Sequence, residues 1–232
     1  MIGVTENLAI IRDLLKQATI DAGRDPDSVK LVAVSKKHPL SAILEAATAG
    51  QRDFGENFVQ EGIDKIENAG RDDLVWHFIG HLQSNKTRDA AKYFDWVHTI
   101  DRLKIARRLS AQRPAELAPL NVLVQVNVDD EASKSGVPPE AAVDLAVAVA
   151  GLDRLRLRGF MCIPEPTDDV ERQRAAFAKM RAIAEAARKA GLEVDTLSMG
   201  MTADYAVAIR EGATIVRIGT AIFGARATTT QE

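Results

Sequence analysis

Several residue types are scarce in this chain of 232 residues, and each shortage excludes a class of protein. The one cysteine, Cys162, cannot form an intramolecular disulfide, which is typical of proteins in a reducing compartment. Aromatic residues make up 5% of the chain, too few for a surface that stacks single-stranded nucleic acid. The net charge of −3 comes from charges of both signs spread along the sequence, so no nucleic-acid partner is expected.

Long apolar runs are also missing. No stretch approaches the roughly 20 apolar residues that a membrane-spanning helix needs, so no membrane partner is expected. The first residues, 1–7, carry no basic segment followed by an apolar one, and no signal peptide is predicted. We therefore expect a cytoplasmic protein. The hydrophobic fraction of 46% is still sufficient for a sizeable core.

What the chain does have is a regular alternation of short β-branched runs with amphipathic helical stretches. The predicted strands are 31–34, 53–56, 75–79, 96–100, 121–127, 155–163, 196–199 and 215–218. The predicted helices are 5–22, 40–49, 58–69, 101–112 with Asp101 as N-cap, 140–149, 169–190 and 203–211. Such alternation implies parallel strands with right-handed crossovers. Eight units predict an α/β fold with a single (β/α)8 TIM barrel over residues 1–232, and an open doubly wound sheet is the alternative.

Polar residues follow the last two predicted strands. The segment 198–202, which contains Ser198 and Gly200, offers hydroxyls and a glycine amide, and Gly219 and Thr220 offer the same groups after strand eight. A TIM barrel commonly holds phosphate after strands 7 and 8, where free N–H groups favour an anion. Each segment taken alone is more often just a tight turn, but together, opposite Lys36, they predict a phosphate site.

Lys36 ends the first predicted strand and should lie at the same end of the barrel. A lysine that faces a phosphate site suits an aldehyde cofactor such as pyridoxal 5′-phosphate (PLP). The amine forms a Schiff base with the aldehyde, while the site grips the phosphate. The alternative is a solvated loop lysine.

Two further residues fit such a cofactor. Arg217 lies among apolar neighbours in strand eight, and a buried arginine needs a partner. That partner is either a carboxylate, from Asp204 or Glu56, or the pyridine nitrogen of the cofactor. Asn57 ends strand two and either contacts the cofactor ring oxygen or caps the next helix.

Other chemistries lack their motifs. His77 and His81 are four residues apart, but a predicted strand separates their imidazoles and no third ligand is evident, so no metal site is predicted. His38 and His98 are interpreted as a loop residue and a strand-end residue. The sequence contains no G-x-S-x-G elbow, no G-x-x-x-x-G-K-[ST] loop and no G-x-G-x-x-G fingerprint.

Six segments, in this order along the chain, resemble the YggS/PROSC family of pyridoxal phosphate homeostasis proteins. They are LVAVSK at 31–36, FGEN at 54–57, WHFIGHLQSNK at 76–86, GFMCIP at 159–164, SMGMTAD at 198–204 and VRIGTAIFG at 216–224. Small departures are Thr202, where serine is expected, and the pair Lys37-His38 after Lys36.

The resemblance implies a barrel of the alanine-racemase kind (fold type III), with PLP as a Schiff base on Lys36. Ser198, Gly200, Gly219 and Thr220 would hold the phosphate, and Arg217 would face the pyridine nitrogen. The implied role is vitamin B6 homeostasis without an established catalytic reaction.

An amino-acid racemase is the alternative function. Racemisation needs a base on each face of the α-carbon, and type III racemases supply the second base as a tyrosine from a separate C-terminal β domain. The chain ends at Glu232, soon after strand eight, and Tyr93 and Tyr205 are interpreted as packing residues on helices. We therefore expect a monomeric PLP carrier, with apo PLP-dependent enzymes as candidate recipients.

Overall fold

A closed barrel of eight parallel strands forms the centre of the computed structural model, which describes residues 3–129 and 135–225. Each strand pairs with the next along the chain, and the first pairs with the eighth. The strands are β1 (Lys30–Val34), β2 (Asp53–Glu56), β3 (Val75–Phe78), β4 (Trp96–Ile100), β5 (Leu120–Gln125), β6 (Leu155–Met161), β7 (Thr196–Ser198) and β8 (Ile215–Ile218). The predicted (β/α)8 barrel is confirmed.

Helices surround the barrel in a ring. They are α1 (Val4–Asp21), α2 (Leu40–Thr48), α3 (Val59–Ala69), α4 (Thr87–Tyr93), α5 (Leu103–Gln112), α6 (Ala142–Ala150), α7 (Val170–Lys189), α8 (Tyr205–Arg210) and the four-residue α9 (Thr220–Phe223). Each of the first seven packs against the next, and α1 packs against α8 and α9. The N-terminal helix thus occupies the place of a long helix after β8.

Three helical details differ from the sequence prediction. Helix α4 was given no bounds in the sequence prediction, although Tyr93 at its end was interpreted as helical, because its seven residues are too few for a clear amphipathic pattern. Asp101 is not the N-cap of α5, since that position belongs to Arg102. Helix α8 begins at Tyr205 instead of residue 203, because the Asp204 carboxylate accepts the Met201 N–H at 2.6 Å and closes a turn there.

Alternation along the strands divides the side chains between two environments. Outward-facing positions such as Phe54 and Phe78 pack against the helices in the main core. Inward-facing positions form a second apolar cluster inside the barrel, made of Val32, Trp96, Leu123, Met161 and Ile215. Other inward positions are polar, which leaves room for chemistry within the barrel itself.

Candidate active site at the carboxyl ends of the strands

A cavity of about 180 Å³ opens at the carboxyl ends of the strands. Its wall consists of Val34, Lys36, His38, Asn57, Ile79, Ile163, Met201, Thr202, Arg217, Gly219 and Thr220. The structure therefore brings together five of the predicted site residues, Lys36, Asn57, Arg217, Gly219 and Thr220. None of the described residues that line the cavity is acidic, so it suits an anionic ligand.

The backbone around Lys36 is fixed on both sides by hydrogen bonds. Before it, the Ser35 hydroxyl donates to Glu56 Oε1 at 2.6 Å, and Lys65 Nζ donates to the Ser35 carbonyl at 2.8 Å. After it, Lys37 has a left-handed backbone with φ of 61°, and its N–H donates to the Glu61 carboxylate. These contacts hold the turn that presents Lys36 to the cavity.

A buried ion pair lies beneath this turn. Lys65 Nζ is 2.7 Å from both Glu56 Oε1 and Glu61 Oε1, and Glu56 is fully buried. Burial raises the pKa of Glu56, although the charge and hydrogen bond of Lys65 oppose this rise. Glu56 therefore pairs with Lys65 and not with Arg217. The interpretation of Glu56 as the carboxylate partner of Arg217 is wrong.

Arg217 is 4% exposed, and neutral oxygens accept its hydrogen bonds. Its Nη1 donates to Ser198 Oγ at 2.6 Å, and its Nη2 donates to the Cys162 carbonyl at 2.8 Å. Asp204, the other predicted carboxylate partner, forms no ion pair with Arg217 within the described ranges and accepts the Met201 N–H. Burial lowers the pKa of the guanidinium. Its positive charge is available to a ligand in the cavity.

Ser198 and Gly200 lie behind Arg217 and outside the cavity wall. Ser198 is fully buried, and the Gly200 carbonyl accepts the Arg217 backbone N–H at 3.0 Å. Gly200 has φ of +97°, and a Cβ there would lie 2.8 Å from the Ala208 Cβ. The absence of a side chain therefore lets the loop after β7 fold tightly against α8.

A chain of hydrogen bonds continues from Ser198 through the barrel interior. Ser198 Oγ lies 2.9 Å from His98 Nδ1, and His98 Nε2 lies 2.9 Å from His77 Nδ1. His77 Nε2 lies 2.9 Å from Asp53 Oδ1, at the start of β2. Burial lowers the pKa of both histidines, and that of His98 well below its ordinary value.

Sequence reasoning placed His77 in a strand but missed its contact with His98, because His98 was interpreted as a strand-end residue. It lies within β4 and is fully buried. Its spacing of two from Trp96 places both side chains on the inward face, and this alternation is the signal that could have identified it.

Asn57 carries a buried acceptor beside Lys36. Its Oδ1 is inaccessible to solvent and has no hydrogen-bond partner among the described residues. The N-cap position of α3 belongs to Phe58, so the interpretation of Asn57 as a helix cap is wrong. Buried acceptors are normally paired, so a ligand that donates a hydrogen bond here would complete the site.

Metal and membrane features were sought in residues 3–129 and 135–225. No group of three His, Cys, Asp or Glu side chains there could hold a metal ion. His77 lies inside the barrel, whereas the His81 side chain is about half exposed in the loop after β3. None of the described helices has the length and apolar character to span a bilayer.

Comparisons with known proteins agree with this architecture. The model of the alanine racemase N-terminal domain matches residues 7–227. The pyridoxal phosphate homeostasis protein of Escherichia coli K12 is 56% identical over 227 residues, which cover 96% of this chain and 97% of that protein. PipY of Synechococcus elongatus, solved with PLP bound, superposes with a TM-score of 0.82 at 37% identity, covering 95% of this chain and all of PipY.

The alanine racemase of Clostridium difficile has a TM-score of 0.73 at 16% identity, over 94% of this chain and 57% of its own. That likeness concerns the fold alone, and it agrees with the predicted alanine-racemase kind of barrel.

Proposed function

The chain belongs to the family of pyridoxal phosphate homeostasis proteins, and from this we propose that it binds PLP in the cavity beside Lys36. PipY of Synechococcus elongatus, which is 37% identical to this chain, has been solved with PLP bound. When bound, PLP supplies an aldehyde that condenses with a primary amine and a pyridine ring that withdraws electrons. The protein would take part in intracellular PLP homeostasis as a single cytoplasmic domain.

Each side chain in the cavity has a role that follows from its chemistry. Lys36 supplies the amine for the Schiff base. Thr220 supplies a hydroxyl and Gly219 a close backbone approach for the phosphate. Arg217 can only donate hydrogen bonds, so it would face the unprotonated pyridine nitrogen. Asn57 Oδ1, which has no partner within the described part of the chain, would accept from the ring hydroxyl.

Ser198 and Gly200 would serve the same site indirectly. Both hold Arg217, one through the side chain and the other through the backbone. The observation that carries the proposal is the cavity itself, which combines an amine, a guanidinium and hydroxyls with no acidic residue among its described lining.

A carrier role is supported by the positions of the two tyrosines, the residue type that supplies the second base in type III racemases. Tyr93 lies on α4, and its hydroxyl donates to Glu67 at 2.6 Å, away from the cavity. Tyr205 packs against the main core. Neither tyrosine lines the cavity. We therefore propose a monomeric, non-catalytic carrier that releases PLP to apo PLP-dependent enzymes, in preference to a racemase.

The test is the visible spectrum of the purified protein with added PLP, before and after borohydride reduction, followed by mass mapping. We expect a yellow band that disappears on reduction and a pyridoxyl mass on Lys36. Lys36→Ala should lose the mass, whereas the control Lys37→Asn, in the exposed neighbouring position, should keep it. A protein that stays colourless at saturating PLP, or a label on Lys37 in place of Lys36, would overturn the proposal.

A racemisation assay separates the two functions. Incubation of the PLP-loaded protein with L-alanine in deuterated water should give no D-alanine and no deuterium at the α-carbon beyond a PLP-only control. Deuterium incorporation with turnover would identify a racemase.

A further inference from the structure

The hydrogen-bond chain through the barrel connects the cavity to the opposite end of the barrel. Asp53 is the first residue of β2 and lines a separate cavity of about 370 Å³ together with Lys30, the first residue of β1. Lys36 and Arg217 line the cavity at the carboxyl ends. Four consecutive contacts of 2.6–2.9 Å join Asp53 to Arg217 through His77, His98 and Ser198.

The chemistry of the two ends fixes the direction of every bond between them. Burial raises the pKa of Asp53, but hydrogen bonds from His77 and Lys30 together hold this pKa below its ordinary value. An ionised carboxylate only accepts, so His77 must carry its proton on Nε2. A neutral imidazole has one N–H, and His77 Nδ1 must then accept from His98 Nε2.

The same rule continues to the cavity. His98 Nδ1 is left as an acceptor, so the Ser198 hydroxyl donates to it. The Ser198 oxygen then accepts from Arg217 Nη1, which agrees with a guanidinium that can only donate. If both neutral imidazoles carried their proton on Nδ1 instead, the unprotonated His77 Nε2 would face the Asp53 carboxylate at 2.9 Å with no proton between them.

We infer that Asp53 is a positioning residue for Arg217, acting through the fixed tautomers of His77 and His98. In this hydrogen-bond chain the Ser198 hydroxyl donates to His98. The Ser198 oxygen can therefore only accept from Arg217. One edge of the guanidinium is thereby held, and its remaining N–H groups are oriented toward a ligand. This inference rests on the proposed function, in which Arg217 faces the pyridine nitrogen.

The direct test is the histidine tautomer, measured by long-range ¹H–¹⁵N correlation of the imidazole nitrogens without PLP. The protein has four histidines, so the NMR signals can be assigned by substituting each histidine in turn. In the wild type both His77 and His98 should be neutral and protonated on Nε2. Protonation on Nδ1 at either residue would overturn the inference, whatever the behaviour of any variant.

Substitution of Asp53 tests the coupling. Asp53→Leu removes the acceptor, so His77 is free to move its proton to Nδ1, and His98 should follow. Asp53→Asn keeps an oxygen of the same shape and should retain both Nε2–H tautomers. The matched control is Asp73→Leu, which removes an exposed carboxylate just before β3 and should leave the tautomers unchanged.

PLP titration gives the second readout. Asp53→Leu should bind PLP about tenfold more weakly, the effect of one lost hydrogen bond to a charged group, and Asp53→Asn should restore most of the affinity. Unchanged tautomers or unchanged affinity in Asp53→Leu would overturn the positioning role. If the wild type shows the expected tautomers but no PLP binding, the proposed function fails, and with it the role toward the cofactor. The tautomers would then establish only the hydrogen-bond chain from Asp53 to Arg217.

Discussion

Lys65 offers the sharpest test of how the Lys36 turn is supported. It is 7% exposed and donates to the Ser35 carbonyl, Glu56 and Glu61. Lys65→Met keeps most of the length of the side chain but removes its charge. Glu56, which is fully buried, then loses its positive partner. Breaking one half of a buried ion pair typically costs about 3–5 kcal/mol.

The pKa of Glu56 gives an independent upper limit on the stability that Lys65→Met loses. The folded variant can avoid an unpaired carboxylate by protonating Glu56, and that costs about 1.4 kcal/mol per pH unit above the ordinary value of about 4.3. The charge contribution is therefore at most about 3.7 kcal/mol at pH 7 and about 1 kcal/mol at pH 5. Because the folded variant binds the extra proton, its stability relative to the wild type should fall as pH rises.

Urea denaturation followed by the fluorescence of the two tryptophans measures this directly at both pH values. The double variant Lys65→Met/Glu56→Gln removes both charges and should recover most of the stability lost at pH 7. Lys92→Met, in an exposed position, should change little. The reasoning is refuted if Lys65→Met loses the same stability at pH 5 and pH 7, or if the double variant is no more stable than the single one.

Three further predictions concern other parts of the site. Gly200→Ala should lose about 2 kcal/mol or more of stability in urea denaturation, because the backbone there is left-handed and a Cβ would be crowded. The control Gly23→Ala has the same left-handed backbone but open space around its Cβ, and it should lose about 1 kcal/mol. Arg217→Lys should weaken PLP binding about tenfold in a spectroscopic titration, since a single ammonium cannot reach both Ser198 Oγ and the Cys162 carbonyl; unchanged affinity would argue against a role for the planar fork. Because burial lowers the pKa of His98 well below its ordinary value, this side chain should stay neutral at pH 5.5 by ¹⁵N NMR; the unfolded chain takes up a proton at this position below about pH 6.5, so its contribution to stability falls by about 1 kcal/mol between pH 6.5 and 5.5.

The strands were predictable because the β-branched runs are local signals, and all eight were found within a few residues of their ends. Lys36, Arg217, Gly219 and Thr220 were predictable as neighbours because a parallel barrel brings the carboxyl ends of its strands together. This expectation depends on topology alone and needs no knowledge of side-chain orientation.

The interior chain was not predictable in the same way. His98 and Ser198 are separated by 100 residues and lie on β4 and β7, which are not paired. Their contact depends on the tilt of the strands across the barrel, which leaves no local trace in the sequence. Asp204 was one of two carboxylates considered as partners of Arg217, but a turn-closing bond from the Met201 N–H competes for its carboxylate.

The two cationic groups of the cavity owe their supports to a single short strand. Alternation in β2 directs Asp53 into the barrel and Glu56 outward toward α3, so the first begins the chain to Arg217 and the second holds the turn at Lys36 through Lys65. Between them Gly55 leaves the inward position free of a side chain, and a Cβ there would lie 3.0 Å from both Ile79 and Val32. Although no residue of β2 itself lines the cavity, and only Asn57 directly after it does, the register of β2 therefore determines the position of both the amine and the guanidinium.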